Sequence, residues 1–146
     1  MKLVIQRVKQ ASVQVNQQVV GNIEYGLLCY VGFTHEDTLE VINKAVSKVL
    51  KLRIFDDEQG VMNDDVQHVN GSILIVSQFT LYGDAKKSNR PSWMHAAKQD
   101  QAKSLYEAFI QKMKTHIHTE SGQFGAHMEV TYTNDGPVTI LLELEG

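Results

Sequence analysis

Ile73-Leu74-Ile75-Val76-Ser77-Gln78-Phe79-Thr80-Leu81 begins as an apolar run and ends in polar and aromatic residues. Such a segment reads as a buried strand, placed at residues 72 to 82, that carries groups capable of chemistry to its end. Further along, Asn134-Asp135-Gly136-Pro137-Val138-Thr139 sets a Gly-Pro step between two apolar β runs. Proline removes an amide donor and glycine loosens the backbone, so the pair is poorly suited to a regular sheet interior. The step is read as backbone geometry put to chemical use.

Around these two segments the pattern changes period twice. Residues 2 to 33 read as β structure, with Leu3-Val4-Ile5, Val13-Gln14-Val15, Val19-Val20 and Gly26 to Phe33 as its runs and a hairpin turn at Asn16-Gln17-Gln18. Ile42, Ala45, Val46, Val49 and Leu50 then recur at helical spacing, which predicts an amphipathic helix over 38 to 53. Asp37 and Glu40 resemble a capping box at its start. Residues 55 to 71 are rich in turns, and 83 to 97 form an irregular loop. Ala102, Leu105, Tyr106, Phe109 and Met113 mark one face of a second helix over 99 to 115. Two last strands, near 126 to 133 and 137 to 145, flank the Gly-Pro step. The expected fold is α+β: a mostly antiparallel, barrel-like sheet with two amphipathic helices packed on one side. The whole of 1–146 is expected to form one domain.

Composition narrows the function classes. A net charge of -3 and a pI near 6.0 argue against a broad basic coat for long nucleic acid, while leaving room for a local patch. The single cysteine, Cys29, excludes a disulfide framework within the chain and a cysteine-rich zinc site. Its apolar neighbours make it a buried structural thiol. No stretch has the length and apolarity of a membrane span or a signal core, so a soluble cytoplasmic protein is expected. The six histidines show neither a His-x-x-x-His nor a His-Glu-x-x-His spacing, and no metal or other cofactor is expected.

Ser77 and Thr80 are candidate nucleophiles, but a hydroxyl needs an adjacent base to become one. No Gly-x-Ser-x-Gly elbow is present and no histidine is obviously placed as partner, which disfavours a serine triad. As strand-end hydroxyls they would simply satisfy backbone groups. A further use of the segment is open: backbone amides leaving a strand can converge on an oxyanion. Lys86, Lys87 and Arg90 share a loop with Trp93. They are either a solvated surface or a contact for nucleic-acid phosphate with an aromatic to stack on. Gly136-Pro137 is either a plain turn or, if cis, a rigid pair of carbonyl acceptors suited to an ammonium group.

Together these segments resemble the D-aminoacyl-tRNA deacylase family, whose two signature motifs look like Ser77-Gln78-Phe79-Thr80-Leu81 and Asn134-x-Gly136-Pro137-Val138-Thr139. Further likeness lies in Gln6-Arg7-Val8, Ala11-Ser12-Val13, Arg53-Ile54-Phe55, Met62-Asn63, Arg90-Pro91-Ser92 and the segment Thr119 to Met128. The resemblance spans essentially the whole chain. It implies a homodimer with cross-subunit active sites that takes the aminoacylated acceptor end of tRNA. It implies hydrolysis of the ester to a D-amino acid, and of mischarged glycyl-tRNA, with rejection of the L form. On that model the carbonyls of a cis Gly136-Pro137 hold the substrate amino group in the partner's pocket, Arg7 braces the loop together with Asn134, and Ser77, Gln78, Phe79 and Thr80 form the catalytic segment.

Two chemical steps are compatible with these residues. Either Thr80 is the nucleophile, with Gln78 and the Phe79 amide holding the oxyanion, or the ribose 2′-hydroxyl of the tRNA activates water and the protein supplies position and donors. The second is preferred, because the sequence offers no general base beside Thr80. A nonselective aminoacyl-ester hydrolase and a noncatalytic RNA-end-binding module are the competing functions.

Overall fold

The computed structural model describes residues 1–146. Strand β1 (Lys2–Val15) runs unbroken, then turns through Asn16 and Gln17 into β2 (Gln18–Ile23). Both turn residues have positive φ, 49° and 65°. That is the backbone a two-residue hairpin needs to match the twist of its strands. After β3 (Gly26–Gly32), the two halves of β1 have different partners on one edge: Lys2 to Val8 pair with β3, and Ala11 to Val15 pair with β2.

The chain then leaves the sheet in helix α1 (Leu39–Lys51), makes a short hairpin of β4 (Phe55–Asp56) and β5 (Met62–Asp64), and returns as β6 (Ser72–Ser77). A 3₁₀ turn (Phe79–Tyr82), helix α2 (Gln99–Lys114), β7 (Thr119–Ser121) and β8 (Glu129–Glu143) follow. Helical crossovers bring a chain back in its original direction. Accordingly β6 is parallel to β3 and β7 parallel to β6, whereas β2, β3 and β8 are all antiparallel to β1. The sheet curls until its edges meet. A Cβ on Gly21 of β2 would stand 2.8 Å from the Ser121 carbonyl oxygen of β7. The expected α+β fold with a barrel-like sheet is the fold observed.

Two cores result. The larger lies between the sheet and both helices and includes Leu3, Ile5, Leu27, Cys29, Val49, Phe55, Ile73, Phe109 and Met113. The smaller fills the barrel with Val8, Ala11, Val13, Ile23, Leu28, Leu74 and Val76. Cys29 is wholly buried, and burial pushes its thiol up to about 12, as fits a structural cysteine. No buried side-chain polar atom lacks a hydrogen-bond partner.

Several local expectations need correction. Asp37 is not the cap of α1; Thr38 holds that position without a side-chain cap bond. The Asp37 carboxylate is taken instead by the Met1 ammonium and the Thr34 amide, each at 2.8 Å. The strand expected over 72 to 82 ends at Ser77, because the chain tightens into the 3₁₀ turn. The two final strands are one, β8, paired with β1 on both sides of the Gly-Pro step. The hairpin β4–β5 and strand β7 are too short for a periodic signal to reveal.

Gly26 is fixed by the close approach of β6: a Cβ there would lie 1.9 Å from the Ser72 carbonyl oxygen. Gly26→Ala is expected to destabilise the fold by about 1–3 kcal/mol or more through overpacking against backbone. Urea denaturation of the two proteins side by side measures this.

Candidate active site

The strand ends of β3 and β6 open into a cavity of about 740 Å³ near the start of α2. Ser77, Gln78 and Phe79 line it from β6 and the 3₁₀ turn, opposite Phe124 and Met128. Thr80, the next residue, is exposed and does not line the cavity. The Gln78 amide is spent on the Val31 carbonyl at 2.8 Å. The Phe79 and Thr80 amides open the 3₁₀ turn, where the first donors of a helical segment have no partner inside it. Phe79 meets Trp93 edge to face, with centroids 5.1 Å apart and planes at 68°. Behind them the Tyr106 hydroxyl donates to the Ile75 and Gly122 carbonyls at 3.0 and 3.2 Å, tying β6 to the segment after β7. Burial pushes this phenol up to about 12, so it stays a protonated donor.

The cavity is poor in acid–base groups. No aspartate or glutamate lines it, and Tyr30, at its wall, is likewise pushed up to about 12 by burial. His127 is the one lining side chain of a type that titrates near neutrality. Its spacing to the other histidines did not single it out, because its place on the cavity wall depends on the return of the chain after β7. Lys86, Lys87 and Arg90 sit exposed on the loop after the 3₁₀ turn and enter neither an ion pair nor this cavity. Lys86 borders a separate depression of about 860 Å³. Its walls carry Glu36, Asp37, Glu40, Asp84, Glu143 and Glu145, which makes it a poor seat for a phosphate.

The Gly-Pro step lies elsewhere. Val8 pairs with Asn134 and Gln6 with Thr139, so β8 spends five residues where β1 spends two, and three residues bulge out. The Gly136–Pro137 bond in that bulge is cis, and Gly136 has φ 115°. Asn134 closes the base of the loop. Its amide donates to the Arg7 and Val138 carbonyls, both at 3.0 Å, and its oxygen accepts from Gln6 at 3.1 Å and Thr139 at 3.3 Å. Thr139 also reaches the Pro137 carbonyl at 3.1 Å. Arg7 is buried beneath. Its Nη1 donates to the Ile54 carbonyl at 2.8 Å, and its Nε stands 3.1 Å from the Asp135 carboxylate. Gln6 and Thr139 thus join Arg7 and Asn134 in shaping the loop. Both stood in the quoted motifs, but only the register shows that they meet.

Within one chain the two motifs are far apart. Arg7 pairs with Leu27 and Ser77 with Val31, four residues further along β3. That is roughly 13 Å along the strand, before the strand spacings between β8 and β6 are added.

The chain's relatives share this arrangement of sequence and fold. A family model described as D-Tyr-tRNA(Tyr) deacylase matches residues 4–143. A D-aminoacyl-tRNA deacylase of Exiguobacterium sibiricum is 54% identical over 144 residues, covering 98% of this chain and 99% of the relative. One from Chloroherpeton thalassium is 50% identical over 145 residues, covering 98% and 95%. The solved structure of a c-Myc DNA Unwinding Element Binding Protein superposes with a TM-score of 0.94 at 38% identity, each chain covered in full. A probable eukaryotic D-amino acid tRNA deacylase, at 19% identity and a TM-score of 0.85 over 98% of each chain, agrees in fold. These matches place the chain among enzymes that hydrolyse aminoacyl esters. It belongs to the D-aminoacyl-tRNA deacylase family.

Arg7→Lys tests the brace. A lysine keeps the charge but lacks the fork that reaches Ile54 and Asp135 together. The expected cost is about 1–3 kcal/mol of stability in urea, with a larger relative loss of catalytic activity than of folded protein at low denaturant.

Proposed function

We propose that this protein hydrolyses the ester between a D-amino acid, or glycine, and the terminal adenosine of tRNA, and that it rejects the L-aminoacyl ester. The observation that carries the reading is the Gly136–Pro137 loop, whose backbone is held by Arg7, Asn134 and Thr139. The loop's carbonyls are suited to an ammonium group. A wall of backbone discriminates by position, so an L side chain collides with it while a D side chain points away. Glycine has no side chain to reject.

For the loop to meet the cavity, a second copy is needed. The barrel-interior face of Val8, Leu28 and Leu74 continues along the strands to Val4, Tyr30 and Leu141. There the chain covers it only in part, and Leu141 is 74% exposed. The Gly-Pro loop lies at the Gln6 end of this face and Ser77 at the other. A two-fold axis through the Val4–Leu141 pair would exchange the ends, setting each loop against the partner's cavity. An exposed apolar surface of this kind calls for a partner.

The terminal adenosine occupies the cavity, among Phe79, Trp93 and Phe124, where a base can stack. With no carboxylate there, the ribose 2′-hydroxyl activates the attacking water. The Phe79 amide and the Gln78 carboxamide hold the oxyanion, and the 3′-oxygen departs as the ribose hydroxyl. Lys86, Lys87 and Arg90 guide the acceptor-end phosphates. A cytoplasmic location fits a tRNA substrate; no helix is long and apolar enough to cross a membrane.

Purified protein, without added metal, is expected to deacylate D-tyrosyl-tRNA rapidly and leave L-tyrosyl-tRNA intact. Cleavage of both would make it a nonselective esterase, and tight binding without cleavage a binding module. Thr80→Ala should retain much of the activity, whereas a 2′-deoxy terminal adenosine should abolish it. Total loss in a folded Thr80→Ala protein would restore Thr80 as nucleophile. Leu141→Asp should leave the monomer folded, shift it out of the dimer in analytical ultracentrifugation, and remove deacylation at the same time. A fully active monomeric variant would refute the shared site.

A further inference from the structure

We infer that a polar recess beside the cavity receives the cytosine that precedes the terminal adenosine. The recess has a volume of about 390 Å³ and is lined only by Gln14, Asn16, Gln17, His127 and Glu129. His127 also lines the cavity, so a single side chain separates the two spaces. The inference rests on the reading that the cavity holds the terminal adenosine.

The glutamines of β1 make the recess distinctive. Gln6 and Gln10 each donate across to β8, to Asn134 at 3.1 Å and to Thr133 at 2.6 Å. Gln14 stands directly opposite Glu129 on the same strand pair, yet no hydrogen bond joins their side chains. Asn16 and Gln17 complete the rim at the hairpin tip, where their positive φ angles fix the backbone. Four neutral or anionic polar groups therefore converge beside a nucleoside-sized cavity, with hydrogen-bonding capacity left free.

The chemistry of the lining selects the ligand. No lysine or arginine is present, and Glu129 would repel a phosphate. A carboxylate is an acceptor only, while a carboxamide both donates and accepts. This combination fits a base with an exocyclic amine beside ring acceptors. Cytosine offers its N4 amine to the Glu129 carboxylate and its N3 and O2 to the carboxamide donors. Uracil would set a carbonyl against the carboxylate. In the C-C-A end of tRNA, the unpaired base next to the terminal adenosine is cytosine, and an unpaired base presents these edges freely.

The test uses D-tyrosyl minihelices ending in C-C-A and in C-U-A, with wild-type protein, Glu129→Gln and Gln14→Ala. His127 is left in place because it borders both spaces. Wild type should prefer the C-C-A end by about tenfold or more in kcat/KM, chiefly through KM. Glu129→Gln can donate to the uracil carbonyl and should narrow the preference to less than about threefold; Gln14→Ala should narrow it by lowering turnover of the C-C-A substrate. Equal use of both ends by wild type, or a preference unchanged in both variants, overturns the assignment. Cleavage of the C-C-A substrate by wild type tests the catalytic reading separately. Should that cleavage fail, fluorescence anisotropy of the two uncharged hairpins decides the recess alone, and equal affinities for the two ends overturn it. Thermal melts followed by circular dichroism establish that each variant is folded.

Discussion

Everything in this molecule depends on the antiparallel pairing of β8 with β1, and on the one place where it is interrupted. Leu3, Ile5 and Arg7 face the helices; Val8, Ala11 and Val13 face the barrel interior. The register slips on either side of Val8, so β1 passes from serving both layers to serving the barrel alone at that point. β8 slips there too, and the excess chain becomes the Gly-Pro loop. A long bulge in a paired strand would ordinarily leave backbone groups without partners, at a cost comparable to lost hydrogen bonds. Asn134 and Arg7 remove that cost. Asn134 takes two carbonyls and two donors, and Arg7 bridges from the loop to Ile54 beneath the helices. The loop is thereby anchored to both cores.

Rigid anchoring suits a task that side chains perform poorly. A pocket that accepts many amino acids cannot recognise the side chain, yet it must sense on which side of the α-carbon that side chain lies. In the proposed assembly the discriminating surface is main chain, and its position is set by hydrogen bonds within one subunit. The proposed catalytic segment is built with similar economy. Ser77, Gln78 and Phe79 are delivered by a parallel strand whose carboxyl end opens beside the start of a helix, the place where sheets with crossover helices commonly bind ligands. What that end lacks is a carboxylate. In the proposed mechanism the 2′-hydroxyl of the substrate does work that in other hydrolases falls to a side chain.

Periodicity made the helices legible, since six buried positions of α1 and five of α2 follow a 3.6-residue repeat. It also made β3 and β6 legible, because both are buried apolar runs. It could not show that Asp37 serves the Met1 ammonium, a contact spanning 36 residues of sequence. It could not show β7, whose three residues carry no repeat. For the candidate site, the motifs single out the two segments, but the contacts that hold them are long-range. Arg7 meets Ile54 and Asp135, and Gln6 meets Asn134, only after β1 has paired with both neighbours. His127 lay within the segment Thr119 to Met128, but nothing in the sequence set it apart, since its place on the wall of the same cavity as Ser77 is set by how the chain returns after α2.

The separation of the two motifs within one chain decides how folding relates to activity. Both cores are built from a single chain, and no buried side-chain polar atom is left unsatisfied. The proposed active site requires the partner, because the loop lies at one end of the partly uncovered face and Ser77 at the other. In the proposed dimer, subunits active only in pairs would keep a half-site from acting as an unselective esterase: a lone cavity would have the proposed oxyanion donors but no wall against the L side chain. With the wall on the partner, a cavity presented with its discriminator would be selective, and a cavity without it would also lack the carbonyls that would hold the substrate's ammonium group.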